Sequence, residues 1–161
     1  VERKRKFVCV DPHDMPIIAI IDPEMMSSMP KGLTASTGMD ALTHAVEAYI
    51  GNSTTIDTRR DALKAVKLIF ENIDIAYEHG DNIQARRNML HASFYAGCAF
   101  TKSYVGYVHA VAHTLGGQYN VPHGLANAVL LPLPQTTPLG PSTNKTGETC
   151  CFVIPPAGYG N

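Results

Sequence analysis

An aspartate and a histidine stand four residues apart in GMDALTHAVEAY, residues 38–49, inside a run that is otherwise apolar and helix-forming. On an α-helix that spacing puts Asp40 and His44 on one face, with Cβ atoms about 5–6 Å apart. A carboxylate or an imidazole that helix packing takes out of water needs a partner. The demand is repeated further along, where His109, His113 and His123 fall within 15 residues, each among Ala, Val and Gly. Any fold of this chain has to bring these side chains to one another or to a shared ion.

Imidazole together with carboxylate suits Fe(II), Zn(II), Mn(II) or Co(II), and affinity order does not choose among them. One Asp with two or three His on separate helices would leave coordination positions open, as a catalytic metal requires. The remaining histidines, His13, His79 and His91, are read as ordinary side chains. His79 lies near a helix C-terminus, where a cation is mildly favourable. The spacing HAVAH (109–113) does not make a zinc hydrolase, because the H-E-x-x-H motif needs a glutamate after its first histidine and position 110 is alanine. The chain also lacks a G-x-S-x-G elbow, a phosphate-binding G-x-x-x-x-G-K-[ST] loop and a G-x-G-x-x-G turn.

Periodicity predicts a mainly helical chain. Residues 38–50 form a first long helix, with Thr34, Ser36 and Thr37 of MPKGLTAST as capping candidates before it. In DTRRDALKAVKLIFENIDIAYEHG the residues Ala62, Leu63, Val66, Ile69, Phe70, Ile73 and Tyr77 recur at helical spacing, with Asp57 in the first turn and Gly80 after the end. NIQARRNMLHASFYAGCAF becomes apolar on nearly every side after Met89, which predicts a helix in the middle of the domain. YVHAVAHTLGG reads as a shorter helix ended by Gly116 and Gly117, and PHGLANAVLLP as one bounded by Pro122 and Pro132. Ahead of these, KFVCVD and PIIAII read as short buried strands around the break PHDMP. Met25, Met26 and Met29 read as gap-filling core residues.

With 161 residues, 45% apolar and 17% charged, the chain can bury a core. Its net charge of −1 and the single basic run Arg3–Lys6 give no nucleic-acid-binding face. No stretch reaches the roughly 18 apolar residues of a membrane span. Cys9, Cys98, Cys150 and Cys151 show neither zinc-ribbon nor disulfide-framework spacing, so a reducing, cytoplasmic setting is expected. The sequons at Asn52 and Asn144 would then be silent.

Four segments, MPKGLTASTGMDALTHAVEAY, ARRNMLHASFYAGCAF, GYVHAVAHTLGGQYNVPHGLANAVLLP and the Asp22-Pro23 pair before them, occur in the order and separation found in the iron-containing (group III) alcohol dehydrogenases. The chain resembles that family over residues 6 to about 132. The resemblance implies the helical metal-binding domain of a two-domain α/β + α dehydrogenase, preceded by a remnant of the α/β domain's strands. It implies metal ligands at Asp40, His44, His109 and His123, with His113 lining the pocket near the nicotinamide. The cofactors would be Fe(II) or Zn, and NAD or NADP. The activity would be interconversion of a primary alcohol or diol with its aldehyde, the metal acting as Lewis acid on the substrate oxygen while hydride passes to the nicotinamide.

On this expectation residues 1–29 are the end of the cofactor domain and the crossover, 30–132 an incomplete helical domain, and 133–161 a divergent, disordered tail. The cofactor domain would lie upstream, where the residue that meets the ribose 2′ position also belongs. The separate chain would then expose apolar surface near Phe7 and Ile17 and be inactive. Its partners would be a small alcohol or aldehyde, without nucleic acid or membrane, and further copies of itself when full length. The alternative is a non-catalytic, metal-binding helical module.

Overall fold

The computed structural model describes residues 6, 9, 11–14 and 16–132. Among the described residues five α-helices make up the fold: α1 (Lys31–Ile50), α2 (Ile56–Glu78), α3 (Ile83–Ser103), α4 (Tyr107–Tyr119) and α5 (His123–Leu130). None of them is long and apolar enough to cross a membrane. The mainly helical class expected from periodicity is the class observed.

The helix α1 starts seven residues earlier than its periodicity suggests. Pro30 takes the N-cap position with an extended backbone and no side-chain cap. Thr34, Ser36 and Thr37 lie inside the helix, where their hydroxyls donate back to the carbonyls of Pro30 (3.1 Å), Leu33 (3.2 Å) and Leu33 (2.8 Å). Their local hydrogen bonding is thus turned along the helix instead of capping it. By contrast α2 and α3 have side-chain caps: Thr55 accepts from the amide of Thr58 at 3.2 Å, and Asn82 from that of Ala85 at 3.0 Å.

The first three helices pack on one another through small side chains. Ala41, Ala45, Ala48, Ala62, Ala65, Ala76, Ala85, Ala92, Ala96 and Ala99 form most of the core, with Leu42, Ile69 and Met89 as its large members. Alanine lets helix axes approach closely, so this seam runs through Ala62, Ala65, Ile69, Asn72 and Ala76 of α2. Leu63, Phe70 and Tyr77, expected to be buried, lie to one side of it and are exposed. A buried and a half-buried amide complete the seam, the Nδ2 of Asn88 donating to the Oδ1 of the buried Asn72 at 2.8 Å.

Arg86, 1% exposed, fastens three segments at one end of this bundle. Its guanidinium donates to Gly80 O at 2.9 Å, Thr34 Oγ1 at 2.6 Å and Met29 O at 3.0 Å. Met26 and Met29 border a small cavity beside it, whereas Met25 is exposed, because consecutive residues of the 3₁₀ turn Pro23–Met26 point in different directions.

It is α1, and not α3, that occupies the middle: α2 and α3 pack on one part of it, α4 and α5 on another. α4 passes through Gly116 and Gly117 and ends at Asn120, whose left-handed backbone (φ 55°) closes it. The expected strand at 16–21 is absent: Ile17, Ile18 and Ile20 are exposed, with no pairing ladder among the described residues. A strand exists only by hydrogen bonding to a neighbour, so an apolar β-branched run alone does not make one. The expected strand at 6–11 and the tail at 133–161 lie largely or wholly outside the described residues.

Candidate metal centre

Helical spacing places Asp40 and His44 on the side of α1 that meets α4 and α5. Their nearest side-chain atoms, Asp40 Oδ1 and His44 Nε2, are 3.8 Å apart. α4 brings His109, whose Nε2 lies 3.4 Å from the same carboxylate oxygen. The first residue of α5, His123, brings its Nε2 to 3.4 Å from it as well. Three imidazole nitrogens from three helices therefore face one carboxylate oxygen. The donor atoms of Asp40, His44 and His109 lie within 4.8 Å of one another, close enough for one metal ion.

Ring contacts hold these imidazoles in place. His44 is stacked between Phe100 (centroids 4.2 Å apart) and His109 (4.0 Å). His113 stacks on His123 at 5.0 Å and meets His109 edge-on at 6.1 Å. It makes no ion pair with Asp40 among the described residues, and so stands beside the cluster instead of in it. His13, by contrast, makes an exposed pair with Asp11.

The electrostatics follow from burial and crowding. Burial pushes His44 and His113 down to about 4, helped by the neighbouring imidazoles. It also lowers His123, against the attraction of Asp40. For His109 burial is outweighed by the carboxylates of Asp40 and Glu47, which raise it. For Asp40 burial is outweighed by the bond to His109, the charges of His44 and His123 and the amide of Asn127, which leave it at about 2. The carboxylate is ionised and most of the imidazoles are neutral at neutral pH, which is the protonation state that metal ligation needs.

Two side chains not singled out by sequence reasoning belong to this centre. Glu47, on α1, accepts from Nδ1 of His109 at 2.6 Å. Asn127, fully buried on α5, donates its amide to Asp40 Oδ1 at 2.6 Å and lies 3.2 Å from the Nε2 atoms of both His109 and His123. Both were within reach of a spacing argument: Glu47 is three residues beyond His44, and Asn127 four beyond His123, so each shares a helix face with a ligand candidate. The Nδ1 atoms of His44 and His123 and the Oδ1 of Asn127 are buried without a partner among the described residues. Three nitrogens and one carboxylate oxygen converging on one point, amid such unsatisfied atoms, fit a divalent first-row metal by donor type.

The comparisons with known proteins agree with this chemistry. The model of the Fe-containing alcohol dehydrogenase family, C-terminal, matches residues 34–153. The match runs past Pro132, where the resemblance was expected to stop. The 1,3-propanediol dehydrogenase of Klebsiella pneumoniae is 53% identical over 131 residues, which cover 81% of this chain and 34% of that protein. Among solved structures, a 1,3-propanediol oxidoreductase superposes with a TM-score of 0.68 at 55% identity, over 69% of this chain and 29% of that one. The sulfoacetaldehyde reductase of Bifidobacterium kashiwanohense, solved in complex with NAD+, gives a TM-score of 0.67 at 37% identity, over 68% and 29%. The chain thus spans about a third of the length of the curated relatives it matches.

Proposed function

We propose, from the premise that this chain belongs to the iron-containing alcohol dehydrogenase family, that it supplies the metal-holding half of an NAD(P)-linked dehydrogenase acting on a primary alcohol or diol. The observation that carries this reading is the convergence of three Nε2 atoms on Asp40 Oδ1. Asp40, His44, His109 and His123 would hold the ion, iron or zinc. When bound, such an ion supplies Lewis-acid chemistry, drawing electron density from the substrate oxygen.

The residues of the chain do the rest of the work assigned here. Asp40 brings the negative charge that offsets the cation, and Asn127 orients that carboxylate through its amide. His113, beside His123, lines the side of the site against which substrate and nicotinamide would lie. The likeness to 1,3-propanediol dehydrogenase supports a short diol as substrate, and the NAD+ complex of a structural neighbour supports NAD as the hydride carrier. Turnover would require a nicotinamide-binding half that the described residues do not contain, so the separate chain is proposed to be inactive.

A chimera tests this. Residues 34–132 would replace the corresponding segment of the 1,3-propanediol dehydrogenase, with metal content and diol-dependent NAD+ reduction measured together. Metal binding with diol oxidation, both lost in an Asp40→Ala, His123→Ala double variant, is the expected result. A folded, metal-loaded chimera that oxidises no alcohol would overturn the proposal, as would full metal content in the double variant.

A further inference from the structure

Glu47 is a carboxylate whose side chain is 1% exposed, a location that costs several kcal/mol unless the charge is met by donors. It is met three times. Oε2 accepts from the backbone amide of Gly106 at 2.9 Å and from Nδ1 of His109 at 2.6 Å, and Oε1 accepts from the amide of Val108 at 2.7 Å. Two of those donors open α4, where backbone amides would otherwise point outward without acceptors.

The close fit extends to the backbone around it. A Cβ on Gly106 would come to 2.6 Å from Glu47 Oε1 and 3.0 Å from its Cδ, so a side chain at 106 would expel the carboxylate. The close approach is what a side chain at position 106 would disturb, its φ of −109° lying outside the left-handed region.

The consequence falls on His109. A hydrogen bond from Nδ1 to Glu47 fixes the plane of the ring and, in its neutral form, the tautomer, so that Nε2, facing Asp40 at 3.4 Å, is the nitrogen left to carry the lone pair a metal would take. The other two imidazoles have no such hydrogen bond among the described residues, where Nδ1 of His44 and of His123 is buried without a partner. His109 is also the most enclosed of the three, at 1% exposure against 19% and 24%. Among the described residues it is the imidazole of the three whose ring is fixed by a hydrogen bond at Nδ1 as well as by stacking.

We infer that Glu47 is a positioning residue of the metal centre: its single carboxylate fastens the N-terminus of α4 to α1 and at the same time locks His109 with Nε2 towards the ion. The inference rests on the metal-centre reading proposed above. Through this carboxylate the docking of α4 and the geometry of the metal site are one event. Losing it would loosen both.

Co(II) serves as the probe, because its visible absorption reports ligand number and geometry. Its affinity is measured on the full chain by chelator competition, well below the melting temperature, for wild type, Glu47→Gln, Glu47→Ala and Asp40→Ala. Gln keeps the size of Glu47 but, whichever way its amide turns, faces one N–H donor with another. The expected result for Glu47→Gln is a 10- to 100-fold loss of Co(II) affinity and an altered spectrum, the range found for groups that orient metal ligands. Wild-type affinity and spectrum in Glu47→Gln, with only a lower melting temperature of the stripped protein, would reduce Glu47 to a helix cap and overturn the inference. Should Glu47→Ala not fold, the Gln variant still decides. Failure of the underlying reading looks different: wild type would bind no stoichiometric Co(II), or Asp40→Ala would bind it equally well.

Discussion

Gly124 of α5 lies directly on the backbone of Ser36 in α1: a Cβ there would overlap the Ser36 carbonyl group and reach 3.0 Å from its Cα. Backbone cannot move aside as a flexible side chain can. Two helices that carry parts of the candidate metal centre, Asp40 and His44 on one, His123 and Asn127 on the other, are held together at a contact only glycine permits.

Gly124→Ala is therefore expected to push α5 outward. Overpacking of this kind costs about 1–3 kcal/mol. Because His123 and Asn127 would move together, the variant should lose metal affinity as well as thermal stability. Melting curves with and without Co(II) check this, and an unchanged Co(II)-induced rise in melting temperature would contradict it.

Arg86→Met should destabilise the protein by about 2–4 kcal/mol, since it removes the donor for one buried and two partly buried oxygens. Arg86→Lys should recover little. An ammonium is a compact charge and cannot span Gly80, Thr34 and Met29 as the planar guanidinium does. Urea denaturation of the two variants gives the comparison, and a Lys variant as stable as wild type would refute the clamp.

Acid should weaken the metal-stripped protein. His44 and His113, lowered by burial from 6.5 to about 4, and His123, also lowered, bind protons more readily unfolded than folded, so stability falls as pH drops from 6.5 towards 4. His109, raised above 6.5, acts in the opposite sense: its contribution is complete below 6.5 and is lost as pH rises through its folded value. Asp40, lowered from 3.8 to about 2, matters only below that window. Three lowered imidazoles against one raised predict a smaller urea midpoint at pH 4.5 than at pH 7 in the presence of chelator. An equal or larger midpoint at pH 4.5 would show that the carboxylate pairs outweigh burial.

A bound metal should stabilise the folded protein by mass action, by about 2.7 kcal/mol when the free ion is a hundredfold above its dissociation constant. Asp40→Ala should abolish that gain while leaving the seam among α1, α2 and α3 intact. Scanning calorimetry of both proteins across a Co(II) series measures it. A metal-dependent shift that survives the substitution would place the ion elsewhere.

Much of the site was legible because a helix converts spacing into direction. Asp40 with His44, and His109 with His113, are four apart, and apolar surroundings marked them as groups in need of a partner. Glu47 escaped notice because its role depends on Gly106 and Val108, about sixty residues away and unremarkable in themselves. Leu63, Phe70 and Ile17 misled for a common reason: hydrophobicity alone does not say which face a neighbour covers, or whether a neighbour is present at all.

The sequence by itself determined that this chain makes long helices, where Pro122 opens the last of them, and which ionisable groups share a helix face. Those are local matters, settled by a 3.6-residue period and by backbone chemistry within a few residues. Tertiary structure decided that alanine, and not the larger residues, forms the seam, that α1 is the helix against which all the others pack, and that Glu47 and Asn127 join the cluster around Asp40. Each of these depends on how closely two helix backbones approach, and that distance is set by pairs such as Gly124 with Ser36, which no local pattern joins.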